Sequence, residues 1–293
     1  MRTYLDCYPC FLRQALTAAR MAGAPADVEW RALHHVLRLL HDVPDGATPP
    51  FLAGQVHHLV REEVRHGDPY ADVKASTTAA ALELYPRLTE LVASSPDPFG
   101  TAVRVAIAGN AIDLGVSDDV ADLWQTVERV LAAPLAIGDL EALRSAIGAA
   151  DHVLYLADNA GETVFDRVLV EALDVPVVYA VKGGPVLDDA TTTDARAAGL
   201  HGCATVVDTG SDAPGTTLSL CSPEFRAAFL AAPVVIAKGQ AGYETLSDAG
   251  PRVFCLLQVT CPVIARDAGV PVGSVVVRRS HAPEGALLAT PNG

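Results

Sequence analysis

The chemistry available to this sequence lies where short apolar runs stop at charged residues. The run from His152 to Ala157 ends at Asp158 and Asn159, turns through Ala160 and Gly161, and restarts as an amphipathic helix headed by Glu162. A second run, VPVVYAVKG, ends at Lys182 and a Gly-Gly pair, with Asp188 and Asp189 soon after; a third, PVVIAKG, ends at Lys238. In an open parallel sheet, ligands bind beyond the carboxyl ends of the strands, where all these groups fall. Asp158 and Asn159 are adjacent hard oxygen ligands suited to a divalent cation such as Mg or Mn, and Asp189 offers a third oxygen from a neighbouring strand end. Lysines beside such a cation suit phosphoryl oxygens, the role expected for Lys238 and for Lys182 at the second strand end. The helix start at Gly161 presents N–H groups to an anion. Metal plus anion points to phosphate.

Each group also has a plainer reading. Asp-Asn-Ala-Gly is ordinary turn composition, either Asp188 or Asp189 can cap the helix containing Asp194, and a strand-end lysine can snorkel to solvent. Two acidic strand ends in one sheet favour the metal reading. Glu162 is either a cap partner or a carboxylate that orients water. Gly109 and Asn110 in AIAGNAIDLG offer a helix-start amide and a side-chain donor or acceptor, while Asp113 reads as structural. Cys7-Tyr8-Pro9-Cys10 is a CxxC. Zinc wants four ligands and no second CxxC or CxxH exists, so a packing role is expected, with Cys261 able to join the pair in space. His34, His35, His41, His57, His58 and His66 lack HExxH spacing and read as solvated helix faces. No GxGxxG, GxxxxGK or GxSxG is present, which leaves dinucleotide, P-loop and serine-hydrolase chemistry without local support. No carboxylate follows two positions after Asp158, as phosphatases with an aspartyl-phosphate nucleophile require. Metal-activated water is the simpler mechanism.

The elements that must position these residues divide the chain in two. Residues 10 to about 95 carry helical periodicity in FLRQALTAARMAG, WRALHHVLRLLH (with Asp27 or its neighbour as cap) and PFLAGQVHHLVREEVRH. DPYADVKASTTAAALELYPRLTELV predicts a loop and one or two helices, with a kink or break at Pro86. TAVRVAIAGNAIDLG fits helix or strand, and DDVADLWQTVERVLA and DLEALRSAIGAA predict helices. From residue 152, six apolar runs alternate with helical stretches near 162–173, 190–199, 223–231, 241–249 and 261–268, the pattern of a mostly parallel sheet covered on both faces. The expected architecture is a three-layer α/β/α core over 101–293, with a helical approach at 101–150 and a loose tail at 280–293, plus a helical subdomain over 1–100.

The chain has 293 residues, a formal net charge of −14 and six cysteines. That charge repels nucleic acid and anionic membranes, and six scattered cysteines do not make a disulfide scaffold. No run approaches the roughly 20 apolar residues of a membrane span, and MRTYLDCYPC lacks a signal peptide's apolar region. A cytoplasmic location and a small-molecule substrate are expected. Oligomeric state cannot be read from the sequence.

These motifs together resemble the DUF89 family, the metal-dependent damage-control phosphatases, in the subgroup with an N-terminal CxxC. The ordered blocks are CYPC with FLRQAL, DPYADVK, AIAGNAID, DNAGE followed by FD, VKGGP with DDAT, TG at 209–210, EF at 224–225, KGQ with YE, and CPVIA with VPVGS. The resemblance implies a helical part on an α/β/α core, with Asp158, Asn159 and Asp189 binding the metal. It also implies that Lys238 contacts the phosphate and that Asn110 lines the same cleft. Three departures stand out: LDDAT, with Asp188 where relatives read Asn; KGQAG, with Ala241 and Gly242; and Gln258-Val259-Thr260 before CPVIA. The expected activity is hydrolysis of small phosphomonoesters, such as sugar phosphates or phosphopantetheine-type compounds, with Mn, Mg, Co or Ni. Asp158 or Glu162 would accept the proton. Alternatives are S-adenosylmethionine-dependent carboxyl methyl transfer to protein glutamate, an activity also attached to the family, and a non-catalytic metal or redox protein built on the CxxC.

Overall fold

The computed structural model describes residues 1–65, 67–110 and 120–281. Asp113, His66 and most of the expected tail lie outside the described residues.

The first three helices are amphipathic and bury one face against each other: α1 (Cys7–Met21), α2 (Ala26–His41) and α3 (Pro49–Val64). Their core is Phe11, Ala15, Val36, Leu52, Val56 and Val60, sealed by Tyr70 and by Val263 from the far end of the chain. Thr48 caps α3 by accepting from the Phe51 amide, with prolines filling the first turn, where missing N–H groups cost nothing. Asp27 lies in the first turn of α2 and not at its cap, which is Pro25. His57 departs from the solvated reading. It faces inward and is buried, and burial pushes its imidazole down to about 4.

The next helices belong to the sheet. α4 (Ala71–Ala93) runs through Pro86 without interruption, so the expected break is absent. Leu84 and Leu88 are buried on either side of the proline, and that packing outweighs the lost backbone bond. TAVRVAIAGN is helical in α5 (Pro98–Asn110), which crosses the boundary expected near residue 100 and ends, rather than starts, at Gly109-Asn110. α6 (Val120–Ala132) then leads to β1 (Leu135–Gly138), a four-residue strand that the sequence pattern did not reveal, and α7 (Leu140–Gly148).

The six expected runs form β2 (Val153–Leu156), β3 (Val177–Val181), β4 (Thr205–Asp208), β5 (Val234–Lys238), β6 (Val253–Gln258) and β7 (Val275–Arg279). Between them lie α8 (Thr163–Glu171), α9 (Thr192–Ala197), α10 (Pro223–Ala231), α11 (Gly239–Leu246) and α12 (Pro262–Ala268). The sheet order is β1-β7-β6-β5-β2-β3-β4. Its centre is parallel from β6 to β4, while β7 runs antiparallel to β6 and parallel to β1. Helices α4 to α9 cover one face and α10 to α12 the other, giving the three expected layers. No helix among the described residues is long and apolar enough to cross a membrane.

Because the chain leaves β2 towards β3 and β4, then returns to place β5 on the other side of β2, the order reverses between β2 and β5. Crossover connections leave a crevice there.

If α4 is core, as its fully buried Leu88 indicates, Leu88→Ala should cost about 3 kcal/mol through lost burial and a residual cavity. Urea unfolding would show a lowered midpoint at unchanged slope; a loss under about 1 kcal/mol would mean that α4 is peripheral.

Candidate active site

The two acidic strand ends are stitched together by backbone hydrogen bonds. The Ala160 amide donates to the Asp188 carbonyl (2.8 Å), the Ala190 amide to the Asp158 carbonyl (2.8 Å), and the Lys182 amide to the Ala190 carbonyl (2.8 Å). Asn159 and Asp189 face each other as an antiparallel bridge. This pairing brings Asp158, Asn159, Asp188 and Asp189 to one wall of a cavity of about 480 Å³, which Asn110 also lines. Neither aspartate of the second loop caps α9; Thr191 does, in a reciprocal capping box with Asp194. The plain reading of those two acids is thereby removed, and both carry a buried Oδ2 with no hydrogen-bond partner. Lys182 Nζ stands 3.4 Å from Asp189 Oδ2, a distance for charge attraction but long for a hydrogen bond, and donates to the Gly215 carbonyl.

Asn110 ties the wall to the interior. Its Nδ2 donates to Asp158 Oδ2 (3.0 Å) and, at longer range, to Glu162 Oε2 (3.5 Å), while its Oδ1 accepts from the Gln258 amide at the end of β6 (3.1 Å). Behind it lies a buried ion cluster. Lys238 Nζ donates to Glu162 Oε1, to Asp166 Oδ1 and to the Ala106 carbonyl (2.9 Å). Asp166 also accepts from the hydroxyls of Tyr155 and Tyr179 (2.7 Å each), whose rings stack with centroids 5.2 Å apart.

The structure therefore places the expected residues in two shells. Asp158, Asn159, Asp189 and Asn110 line the cavity. Lys238, expected at a phosphoryl oxygen, has no exposed side-chain surface, because two carboxylates draw its ammonium inward. Glu162 is buried beside it at the N-cap position of α8, where it heads the helix as expected but makes no side-chain cap bond. Lys182 is buried against Asp189 and Gly215. Gly161 and Gly109 are packing glycines: a Cβ at Gly161 would meet Thr77 at 2.9 Å, and one at Gly109 would meet Phe165 at 2.8 Å. The sequence alone assigned no site role to Gly239, Asp166, Tyr155, Tyr179 or Gln258. The KG pair was the available signal for Gly239, which has φ +72°, and a Cβ there would overlap the Asp158 carboxylate. Cys7, Cys10 and Cys261 do come together, and they line the same cavity as the carboxylates.

Burial dominates the electrostatics. It pushes Asp158 well above the usual carboxylate range, reinforced by Glu162 and Asp189, and pushes Asp188 to about 8 with help from Asp189. Glu162 rises to about 7 through burial, opposed by Lys238, and burial raises Asp189 against the pull of Lys182. Burial alone would lower Lys238, but Asp166 and Glu162 hold it above its usual value. This excess of buried negative charge fits a hard divalent cation: two carboxylates and an amide provide oxygen donors, one carboxylate oxygen is unpaired, and the open cavity leaves room for water or substrate. No group of three or more His, Cys, Asp or Glu among the described residues could by itself hold a metal ion.

A family model, described as the damage-control phosphatase ARMT1-like domain, matches residues 3–276. The chain belongs to that family. It is 34% identical over 286 residues to a Pyrococcus horikoshii protein named damage-control phosphatase PH1575, covering 96% of this chain and 99% of the relative. An Archaeoglobus fulgidus protein named damage-control phosphatase is 32% identical, with 93% and 97% of the two chains covered. The crystal structure of the Pyrococcus DUF89 family protein superposes with a TM-score of 0.88 at 33% identity, over 96% of this chain and all of the other. The fold and the order of the sequence blocks thus share one explanation.

Two outcomes follow from the electrostatics. Replacing Lys238 with Met leaves Glu162 and Asp166 buried without their cation and should cost about 3 kcal/mol or more in urea unfolding at pH 8, less at pH 6 where Glu162 takes up a proton. In the metal-free protein, Glu162, Asp188 and Glu244 have folded pKa values raised to between about 7 and about 8. The folded state then holds more protons than the unfolded one, so stability falls as pH rises. Thermal melts should show Tm dropping between pH 6.5 and 8, above the range where His57, with its lowered value, titrates. A Tm that rises across that interval would refute the assignment.

Proposed function

We propose that this protein is a metal-dependent phosphomonoesterase of the damage-control type, acting in the cytoplasm on small phosphorylated metabolites. The observation that carries the reading is the convergence of Asp158, Asn159 and Asp189 at the reversal in strand order, where all three line a metabolite-sized cavity. Family membership supports the phosphatase class, since two relatives carry that name.

Asp158, Asn159 and Asp189 would hold a divalent cation, Mn, Mg, Co or Ni, none of which hard oxygen donors alone can select. Such a cation supplies positive charge for the phosphoryl oxygens and acidifies a bound water. The chain's own residues do the rest. Asn110 fixes the Asp158 carboxylate through its Nδ2 and is itself fixed by the Gln258 amide, so the metal-side oxygen is aimed before substrate arrives. Lys182 balances part of the charge on Asp189. Glu162, raised to about 7 and joined to Asp158 through Asn110, can take up a proton released at the cavity wall near neutral pH. Lys238 is a positioning residue that holds Glu162 in place, in contrast to the phosphate contact implied by the family resemblance.

A redox reading of the CxxC finds less support: burial raises the Cys7 thiol, the reverse of the shift that activates a redox cysteine.

The decisive assay is p-nitrophenyl phosphate hydrolysis by metal-stripped protein with Mg, Mn, Co or Ni restored. Turnover should require the metal and fall by about a thousandfold in Asp158→Ala and Asp189→Ala, each tested for folding by circular dichroism. Folded protein that binds metal yet turns over nothing would shift weight to methyl transfer, read by calorimetric binding of S-adenosylmethionine.

A further inference from the structure

The block DPYADVK at 68–74 has no part in the site as built so far, and it places an aromatic side chain in the cavity. Tyr70 stands at the N-cap position of α4 and lines the cavity together with Asp158, Asn159, Asp188 and Asp189. The rest of the block fixes it there. Asp68 accepts from the Tyr70 amide (3.0 Å) through one oxygen and from Lys74 Nζ (3.1 Å) through the other, while the Lys74 amide donates to the Tyr70 carbonyl (2.9 Å). The ring meets the buried His57 imidazole edge-on, with centroids 6.1 Å apart.

Tyr70 differs from the other buried tyrosines in its hydroxyl. A buried phenol ordinarily finds a hydrogen-bond partner. Tyr155 and Tyr179 donate to Asp166, and Tyr243 donates to Asp267. Tyr70 is only 7% exposed, and its hydroxyl makes no hydrogen bond among the described residues. The residue also borders a chamber of about 10 Å³ that His57 and Asp68 line. Burial pushes the phenol up, followed by Asp188, which lines the cavity and not the chamber, and then by Asp68. The electrostatics thus put the hydroxyl on the cavity side, and it keeps its proton near neutral pH, as a donor.

Unengaged donors are scarce around this cavity. No lysine, arginine or histidine side chain is among the described residues that line it, and Asn110, Gln14 and Gln240 direct amide hydrogens at Asp158, Cys10 and Thr260. The Met1 ammonium donates to the carbonyl of the lining residue Glu244 (2.9 Å). Phosphoryl oxygens are strong acceptors, and a cation at Asp158, Asn159 and Asp189 would hold them in the cavity that Tyr70 shares. We infer that the Tyr70 hydroxyl donates to a phosphoryl oxygen of the bound substrate and of the product phosphate, the direct side-chain contact that Lys238, turned inward, does not make. The inference rests on the phosphatase reading for the presence of a phosphoryl group in the cavity.

The test is Tyr70→Phe, which removes one oxygen and keeps the ring. In Mn-loaded full-length protein, the Kd for inorganic phosphate, measured by calorimetry, should rise by about tenfold or more, and kcat/KM for p-nitrophenyl phosphate should fall by about tenfold to a hundredfold. The Kd for Mn and the Tm of the ligand-free protein should stay at wild-type values, because the lost oxygen holds neither the cation nor another part of the chain. Tyr243→Phe is the comparison. It removes a hydroxyl that donates to Asp267 and accepts from Arg278, so it should lower Tm and leave phosphate affinity unchanged. The inference is overturned if Tyr70→Phe binds phosphate as tightly as wild type, if the loss appears in the Mn Kd instead, or if Tm falls as in Tyr243→Phe. Failure of the phosphatase reading looks different: metal-loaded wild type binds phosphate yet hydrolyses no p-nitrophenyl phosphate, and the phosphate Kd of Tyr70→Phe still decides the role of the hydroxyl. Wild type that binds no phosphate with any of the metals would overturn both.

Discussion

The contact on which the rest depends is the buried salt cluster of Lys238 with Glu162 and Asp166. One ammonium at the end of β5 holds two carboxylates from the start of α8 and, through the Ala106 carbonyl, the last turns of α5. Asp166 carries the linkage into the sheet by accepting from Tyr155 on β2 and Tyr179 on β3. Charges so deeply buried persist only when fully hydrogen-bonded, and here nearly every oxygen of the cluster has a donor. The cluster therefore sets the position of α8 against the strand ends. Since Asp158 precedes α8 by one tight turn, it also sets the floor of the cavity.

In front of that satisfied cluster stands an unsatisfied one. Asp158 and Asp189 have Lys182 as their nearby cation and Asp188 has Lys74, and two carboxylate oxygens lack hydrogen bonds. The inner group is wholly buried, whereas Asp158 and Asp189 are buried beside the cavity and Asp188 is half-buried. The inner one is structural, with every carboxylate oxygen hydrogen-bonded by the chain itself. The outer one stores a charge imbalance that a protein without a use for it would relieve by neutral substitution. Asp188, which lines the cavity, increases the imbalance.

The helical part divides the work with the sheet. Strand ends supply the carboxylates and amides of the cavity lining, while α1 and α3 contribute Cys7, Phe11, Gln14 and Ala53 to it. Val263 of α12 enters the core of the first three helices, so the two parts are joined by apolar packing as well as by the shared cavity.

Much of this was legible in the residues. Alternating apolar runs and helices announced the layered sheet, since parallel strands buried on both faces must be continuously apolar; all six runs formed strands. Polar residues stopping those runs marked Asp158, Asn159 and Asp189, because a strand end is where the backbone leaves the core. β1 escaped notice, being four residues of an edge strand with half-buried alternation and little signal against the helices on either side. The sequence could not show which way a long side chain turns. Lys238 and Lys182 sit at strand ends as expected, yet their ammonium groups turn towards buried carboxylates; that direction depends on Asp166, Glu162 and Asp189, brought near only by tertiary packing. Likewise Gly109 and Gly161 marked close approach, and only the folded chain decided that the neighbours are Phe165 and Thr77. Residue type and spacing determined the fold class and marked the polar strand ends, because these follow from local burial and periodicity. The partition of the lysines, the role of Gly239 and the meeting of Cys7 and Cys10 with Cys261 were decided by the tertiary structure, because each depends on groups far apart in the chain sharing one small, poorly hydrated volume.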